Sequence, residues 1–283
     1  MFLSRKLNFL TKSFSTMSQP LKRVLDTLEE LAPLQYSEKW DNTGLLVEPF
    51  KYEKVSKIFL TNDLTVPVMA EAVAHQADFI ITYHPIIFRP LKNIRQSDWK
   101  SRIISECLAK GIAIFSPHTS WDSAECGVNA WLLDQIGAKF AKSEPITPVS
   151  DAPLLGAGKK CTLDNEISIK EAIENIKRNT GLPTVQLGLA VGATIESKIK
   201  TVAVCAGSGA SVLSNTRADL YITGEMSHHE VMDAQHNGTT CILLNHSNSE
   251  RQYLYRVEKF LKEKLEGVDV VVSKSDVDPL VSN

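Results

Sequence analysis

A chain of 283 residues with 43% hydrophobic and 23% charged side chains can bury a large core, as one large domain or two modest lobes. A formal net charge of −2 and no long basic stripe exclude the usual footprint of direct nucleic-acid binding, which needs concentrated Lys and Arg. No apolar run reaches the roughly 18 to 20 residues of a membrane span, and five scattered cysteines without a C-x-x-C pair form neither a disulfide framework nor a cysteine zinc site.

Residues 1–19, "MFLSRKLNFLTKSFSTMSQ", are basic, serine-rich and free of acidic residues. Phe2, Leu3, Leu7, Leu10 and Phe14 return at near-helical spacing, the pattern of a mitochondrial presequence; a disordered tail is the other reading. Met17 offers a second start, so a mitochondrial form, a cytoplasmic form from Met17, or both are expected. "LKRVLDTLEELAP" then puts Leu21, Val24, Leu25, Leu28 and Leu31 on one helical face, and Pro33 stops it.

From there the chain alternates. Strands are predicted at 57–61, 79–83 and 112–116, with helices at 66–75, 98–110 and near 124–136. This α/β alternation favours a largely parallel sheet, so 20–138 reads as a first α/β lobe. Residues 139–160, with three prolines and two glycines, read as a linker, and 161–283 as a second α/β lobe. Its elements are a helix capped by Ser168 and Glu171 and closed by Gly181, strands near 185–190, 201–205, 220–223 and 240–244, and a last helix from about 249 to 265.

The two series resemble each other. "KIFLTNDLTVPVMAEAVAHQADFIITYH" lies beside "TVAVCAGSGASVLSNTRADLYITGEMSHH", so "ADFIIT" matches "ADLYIT". Further on, "GIAIFSPHTSWD" lies beside "GTTCILLNHSNSE", and each ends a strand in a histidine followed four residues later by a carboxylate: His118 with Asp122, and His246 with Glu250. Repetition at corresponding points argues for two related α/β lobes.

Open α/β sheets bind ligands beyond the carboxyl ends of their strands, where His84, His118 and His246 all fall. An imidazole and a carboxylate four residues apart share one side of a turn or helix. His84, His118, Asp122, His246 and Glu250 are therefore candidate ligands for one or two divalent ions such as Zn, Mn or Fe. Two ions in a shared cleft would activate water for hydrolysis. Each residue also has an ordinary structural use: His118 as a turn cap, Asp122 as an N-cap, Glu250 as a first-turn acid. "GEMSHHE" adds Glu225, His228 and His229 as supporting groups, substrate contacts or plain surface. Arg251 suits a substrate phosphate or, more commonly, an internal salt bridge. Trp40, Asp41 and Asn42 read as turn chemistry, and "AGSGAS" (Ala206 to Ser211) as an anion-holding turn or as close packing.

"WDNTGLLV", "YHPIIF", "SPHTSWD", "ITGEMSHHE" and "NHSNSER" together resemble the NIF-three-like family (NGG-one-interacting factor three), whose bacterial members carry the label GTP cyclohydrolase type 2 homologue. The resemblance runs from about Leu21 to the C-terminus. It implies a two-lobed fold with a dinuclear metal centre in the cleft, His84, His118, Asp122, His246 and Glu250 at ligand positions, and a ring-shaped homohexamer. It also implies two functions: a metal-dependent hydrolase of unread substrate, or a non-enzymatic metal-binding adaptor for protein partners. Many bacterial relatives carry two successive histidines where this chain has Tyr83 and His84, which leaves open whether one or two metals bind.

Overall fold

The structure, a computed structural model, describes residues 17–280. Residues 1–16, most of the expected leader, lie outside it. In chain order the elements begin with β1 (Gln19–Pro20), α1 (Leu21–Leu31), a 3-10 turn at Leu34–Tyr36, β2 (Gly44–Val47), β3 (Lys54–Val55), β4 (Lys57–Thr61), α2 (Val66–Ala74) and β5 (Phe79–Thr82). They continue with α3 (Trp99–Lys110), β6 (Ala113–Ser116), α4 (Thr119–Ser123), α5 (Val128–Asp134), β7 (Phe140–Glu144), β8 (Thr147–Val149), β9 (Ala152–Ala157) and β10 (Lys159–Ser168). The last group is α6 (Ile169–Thr180), β11 (Gln186–Gly188), β12 (Lys198–Cys205), α7 (Ala210–Leu213), β13 (Leu220–Thr223), α8 (His228–His236), β14 (Thr240–Leu243), α9 (Leu254–Lys264) and β15 (Asp269–Val272).

Two sheets result. The first has the order β15-β4-β5-β6-β2, parallel except for β2 at its edge. The second has the order β11-β14-β13-β12-β10-β7, in which β12, β13 and β14 are parallel and their flanking neighbours antiparallel. Sequence patterning explains the parallel cores: "FIIT" in β5, "AIFS" in β6 and "LYIT" in β13 are buried at every position, as strands covered on both faces require. Burying Phe79, Ile80 and Ile81 contributes roughly 1.5–3 kcal/mol each, enough to offset backbone ordering of about 1–2 kcal/mol per residue.

Alternate side chains go to different cores. Ile58, Leu60, Phe79, Ile81, Ala113 and Phe115 join Val202, Val204, Leu220, Ile222 and Ile242 of the second sheet in one central core, filled between by Leu28, Leu132, Ile176 and Leu261 from helices. Phe59, Ile80 and Ile114 face outward under α2 and α3, and Ala203, Tyr221 and Cys241 under α7 and α8. The α/β class and the two related series agree with the sequence reading. The repeat has a physical counterpart in the two aspartates of "ADFIIT" and "ADLYIT". Asp78 accepts the Ser56 and Lys57 backbone N–H groups at 2.9 and 3.0 Å, and Asp219 accepts those of Lys200 and Thr201 at 2.8 Å each.

Four expectations are corrected. Residues 139–160 do not form an irregular linker: β7 pairs with β10, and β8 with β9 in a hairpin packed on α4. The glycines there allow close strand approach, since a Cβ on Gly156 would lie 2.1 Å from the Thr147 carbonyl oxygen. The second lobe does not keep all of 161–283, because β15 returns to pair with β4 in the first sheet. The helix expected near 124–136 begins only at Val128, as α5, after the separate short α4 at Thr119–Ser123; a Cβ on Gly127, the N-cap of α5, would meet the Trp121 carbonyl oxygen at 1.9 Å. The last helix starts at Leu254 rather than near Ser249, after 3-10 turns at Ser247–Ser249 and Arg251–Tyr253.

Candidate metal centre

The parallel strands of both sheets end at one cleft. β5 delivers Tyr83 and His84, β6 delivers His118 and, through α4, Asp122, and β14 delivers His246 and Glu250. All six line a cavity of about 590 Å³. The tightest group is His84, His246 and Glu250, whose donor atoms all lie within 4.8 Å of one another. His84 Nε2 is 3.5 Å from Glu250 Oε2, and His246 Nε2 is 3.5 Å from Glu250 Oε1. One carboxylate thus faces two imidazoles with different oxygens. His118 sits beside this group, its ring centroid 5.4 Å from that of His84. Asp122 faces the cavity and accepts the Tyr83 hydroxyl at 2.8 Å.

Each histidine is gripped from behind at Nδ1. His84 meets Asp63 Oδ1 at 2.9 Å, His118 meets Asp41 Oδ1 at 2.7 Å, and His246 meets Glu225 Oε1 at 2.9 Å. Ionised carboxylates only accept, so Nδ1 carries the proton and Nε2 keeps its lone pair. The turns that achieve this are strained: His118 has φ of 37° and Asn245, just before His246, has φ of 70°. Such backbone costs about 1–3 kcal/mol per residue and persists where surrounding bonds over-determine it. Asp41 supplies those bonds at His118, accepting also from the Thr119 hydroxyl at 2.6 Å and its backbone N–H at 3.2 Å.

Burial sets the electrostatics. It pushes the Glu250 carboxyl well above the usual range, against the Asn62 hydrogen bond and with the Asp122 and Asp63 charges adding to it. The Asp122 carboxyl is pushed up to about 6 by burial, the Tyr83 hydrogen bond opposing. Burial also lowers His84 despite Asp63, which keeps its imidazole neutral and ready to donate an electron pair. Burial would raise Asp63 and Asp41, but their hydrogen bonds to His84 and to His118 and Thr119 hold both below the ordinary carboxylate value. The Tyr83 phenol rises well above 10, first through burial and then through the Asp122 charge. It therefore acts as a neutral donor that holds Asp122.

The structure gathers His84, His118, His246 and Glu250, named from sequence, around one cavity, but sequence reasoning misses the residues that hold them. Asp63 follows β4 as His84 follows β5, a placement the strand-end rule covers. Asp41 was readable only as a turn former, and it does occupy one, its N–H on the Glu38 carbonyl at 3.0 Å. Of the "GEMSHHE" run, Glu225 reaches the site, while His228 and His229 are exposed on α8. Arg251 forms an internal salt bridge, its Nε 3.2 Å from Asp276 Oδ1. "AGSGAS" is close packing: a Cβ on Gly207 would lie 2.6 Å from Glu250 Oε1 and 3.0 Å from His246 Nε2.

The model of the Duf34/NIF3 (NGG1p interacting factor 3) family matches residues 20–279. The chain belongs to that family. Among NIF3 relatives, NIF3-like protein 1 of Drosophila melanogaster is 46% identical over 265 residues, covering 93% of this chain and 89% of its own. NGG1-interacting factor 3 of Saccharomyces cerevisiae is 38% identical over 277 residues, covering 92% and 96%. The NIF3 fold recurs in a Bacillus cereus protein related to NIF3, with TM-score 0.81, 19% identity and coverage of 94% of this chain and 99% of that one. It recurs also in reduced HcgD from Methanocaldococcus jannaschii, with TM-score 0.75, 21% identity and coverage of 92% and 99%.

Proposed function

We propose that the protein is a divalent-metal-dependent hydrolase, a GTP cyclohydrolase type 2 homologue by its family resemblance, holding one or two ions (Zn, Mn or Fe) on His84, His246 and Glu250 with His118 and Asp122. The observation that carries this reading is the repeated grip of a carboxylate on Nδ1 of each of three histidines at strand ends. Metal-ligating histidines are oriented in this way, with the other ring nitrogen left free as the donor.

The residues fit a small divalent cation. Ligands at about 2.1 Å around a tetrahedral ion stand about 3.4 Å apart, close to the 3.5 Å between Glu250 and each imidazole. Glu250 is 3% exposed, and among the described residues its carboxylate accepts one hydrogen bond, from Asn62 at 3.0 Å. A buried carboxylate so sparsely matched favours a cation beside it. Gly207 leaves open the space that any side chain would fill. When bound, such a cation supplies Lewis acidity toward water and toward a carbonyl or phosphoryl oxygen. The chain's own part is positional: Asp63, Asp41 and Glu225 fix the rings, Asn62 fixes Glu250, and Tyr83 fixes Asp122.

Elemental analysis of purified protein beside a His246→Ala, Glu250→Ala variant tests the reading. Stoichiometric divalent metal in the parent and none in the variant is expected; a metal-free parent overturns the site. A panel of phosphate, ester and cyclic-amide substrates then tests hydrolysis. The second reading, a metal-binding adaptor, is favoured by α8, on which Ala234 is the buried residue while His228, His229 and Met232 are exposed. Retained metal with no hydrolysis across the panel would select it. The same proposal includes a homohexamer, checked by sedimentation, and mitochondrial targeting by residues 1–19 with a cytoplasmic form from Met17, checked by fractionation.

A further inference from the structure

Two aromatic rings stand over the cleft without a part in holding the fold. Trp40 is 61% exposed and Phe88 42%. Their ring centroids lie 6.0 Å apart at an interplanar angle of 67°, and each meets the His118 ring edge-to-face, at 6.0 and 6.2 Å. Both line the 590 Å³ cavity, as do Pro85 beside Phe88 and Lys100. Leu91, Ile94 and Trp99 are exposed further along the same stretch, yet they are not among its lining residues.

The loops that carry the two rings are pinned by polar bonds. Before Trp40, the Glu38 N–H donates to the Thr119 hydroxyl at 2.9 Å. After it, the Asp41 carboxylate holds His118 and Thr119, and the Asn42 amide donates to the carbonyl of Ile87, next to Phe88. Order in these loops therefore does not depend on burying the indole or the phenyl ring. Apolar area left in water is unfavourable. Exposed aromatic faces on a rigid support, at the mouth of a ligand-sized cavity, are the usual means of recognising a flat apolar group. Centroids run from Trp40 to His118 to His84 in steps of 6.0 and 5.4 Å, so a ring held at the mouth borders His118 and lies one further ring step from His84.

We propose that Trp40 and Phe88 form a platform for a planar aromatic ring of the substrate, and that Lys100 receives a negatively charged substituent of the same molecule. The proposal rests on the hydrolase reading of this site and names its substrate class. The ring occupies the mouth, the bond to be cleaved extends toward His84, His246 and Glu250, and the Lys100 ammonium, which rests 5.4 Å from the Trp99 ring centroid, swings over to meet the anionic group.

Metal-free and metal-loaded protein are titrated with 2-naphthylphosphonate and with decahydro-2-naphthylphosphonate at about pH 9, where both are dianions; they match in carbon number and lack a hydrolysable bond but differ in having a planar aromatic ring. Binding is followed by calorimetry and tryptophan fluorescence. Aromatic contacts of this kind predict roughly tenfold tighter binding of the naphthyl probe. Trp40→Leu and Phe88→Leu should each reduce that preference by roughly 2- to 10-fold. Lys100→Gln should weaken both probes alike, and Phe50→Leu, at a 90% exposed ring outside the cavity, should change neither. Equal binding of the two probes by the parent overturns the platform, as does a preference that survives the Trp40→Leu, Phe88→Leu double variant. A changed sedimentation coefficient in Trp40→Leu, with the preference intact, assigns the rings to a subunit contact and also overturns it. Elemental analysis of the same preparations keeps the two proposals apart. Ring preference without bound metal overturns the hydrolase reading alone, and bound metal without ring preference overturns the platform alone.

Discussion

Replacing Asp41 by asparagine separates orientation of His118 from its mere presence. The Asp41 side chain is fully buried, and its two oxygens accept from His118 Nδ1 at 2.7 Å, the Thr119 hydroxyl at 2.6 Å and the Thr119 N–H at 3.2 Å. An amide of the same shape must turn its NH2 toward one side. Turned to Thr119, it faces an N–H donor; turned to His118, it forces Nδ1 to accept and moves the ring proton to Nε2. Hydrogen bonds to a charged group contribute about 1.5–3 kcal/mol. At about 2–4 °C per kcal/mol for a chain of this size, the melting temperature of metal-free protein should fall by about 3–12 °C. Loss of a carboxylate behind a ligating histidine lowers metal affinity about 10- to 100-fold, or about 1.4–2.7 kcal/mol. Chelator competition measures the second quantity independently of the first. A lowered melting temperature with unchanged metal affinity would refute the orienting role and leave Asp41 as a brace of the fold.

Glu71 on α2 holds the segment after β15. Its carboxylate accepts from the Ser273 hydroxyl at 2.6 Å and from the Lys274 and Ser275 backbone N–H groups, each at 2.9 Å. These bonds, opposed by partial burial, lower its pKa from 4.5 to about 2. The native state thus releases this proton more readily than the unfolded chain, so the stabilisation is full above pH 4.5 and fades as pH falls toward 2. Discounted for solvent screening it amounts to about 1–2 kcal/mol, and urea melts of Glu71→Gln should show a smaller loss of stability between pH 5 and 3 than the parent; parallel acid limbs would contradict this. Gly207→Ala should abolish metal binding while leaving far-UV dichroism intact, because its Cβ would lie 2.6 Å from Glu250 Oε1; unaltered metal content would show that the metal lies elsewhere. Tyr83→His should raise metal stoichiometry or tighten the weaker ion by replacing a neutral phenol with an imidazole donor beside Asp122, and unchanged stoichiometry and affinity in chelator titrations would assign Tyr83 a purely structural part.

The parallel cores are legible in sequence because strands buried on both faces read as continuous apolar runs, and because Asp78 and Asp219 repeat one local bond pattern. His84, His246 and Glu250 are legible for the related reason that parallel strand ends are where side chains enter a cleft. Asp41 is not, since its bond to His118 spans 77 positions of sequence and no periodicity encodes such a pairing. The strand pairing of residues 140–157 escapes notice because its glycines and prolines signal loops, whereas here they permit close backbone approach. β15 is missed for a different reason. Its "DVVV" lies within the stretch assigned to the second lobe, and local pattern does not reveal which sheet a strand joins.

That strand also governs the order of assembly during synthesis. β4 has β5 on one side and β15 on the other, so until β15 leaves the ribosome the growing chain carries a naked edge on an otherwise finished sheet. Such an edge templates pairing with neighbouring chains. Gln19 donates to the carbonyl of Glu266 just before β15 at 2.9 Å, so the segment ahead of α1 is tied to the strand that closes the sheet only once β15 has been made. The exposed edge therefore lasts from the making of β4 at Lys57–Thr61 to the making of β15 at Asp269–Val272.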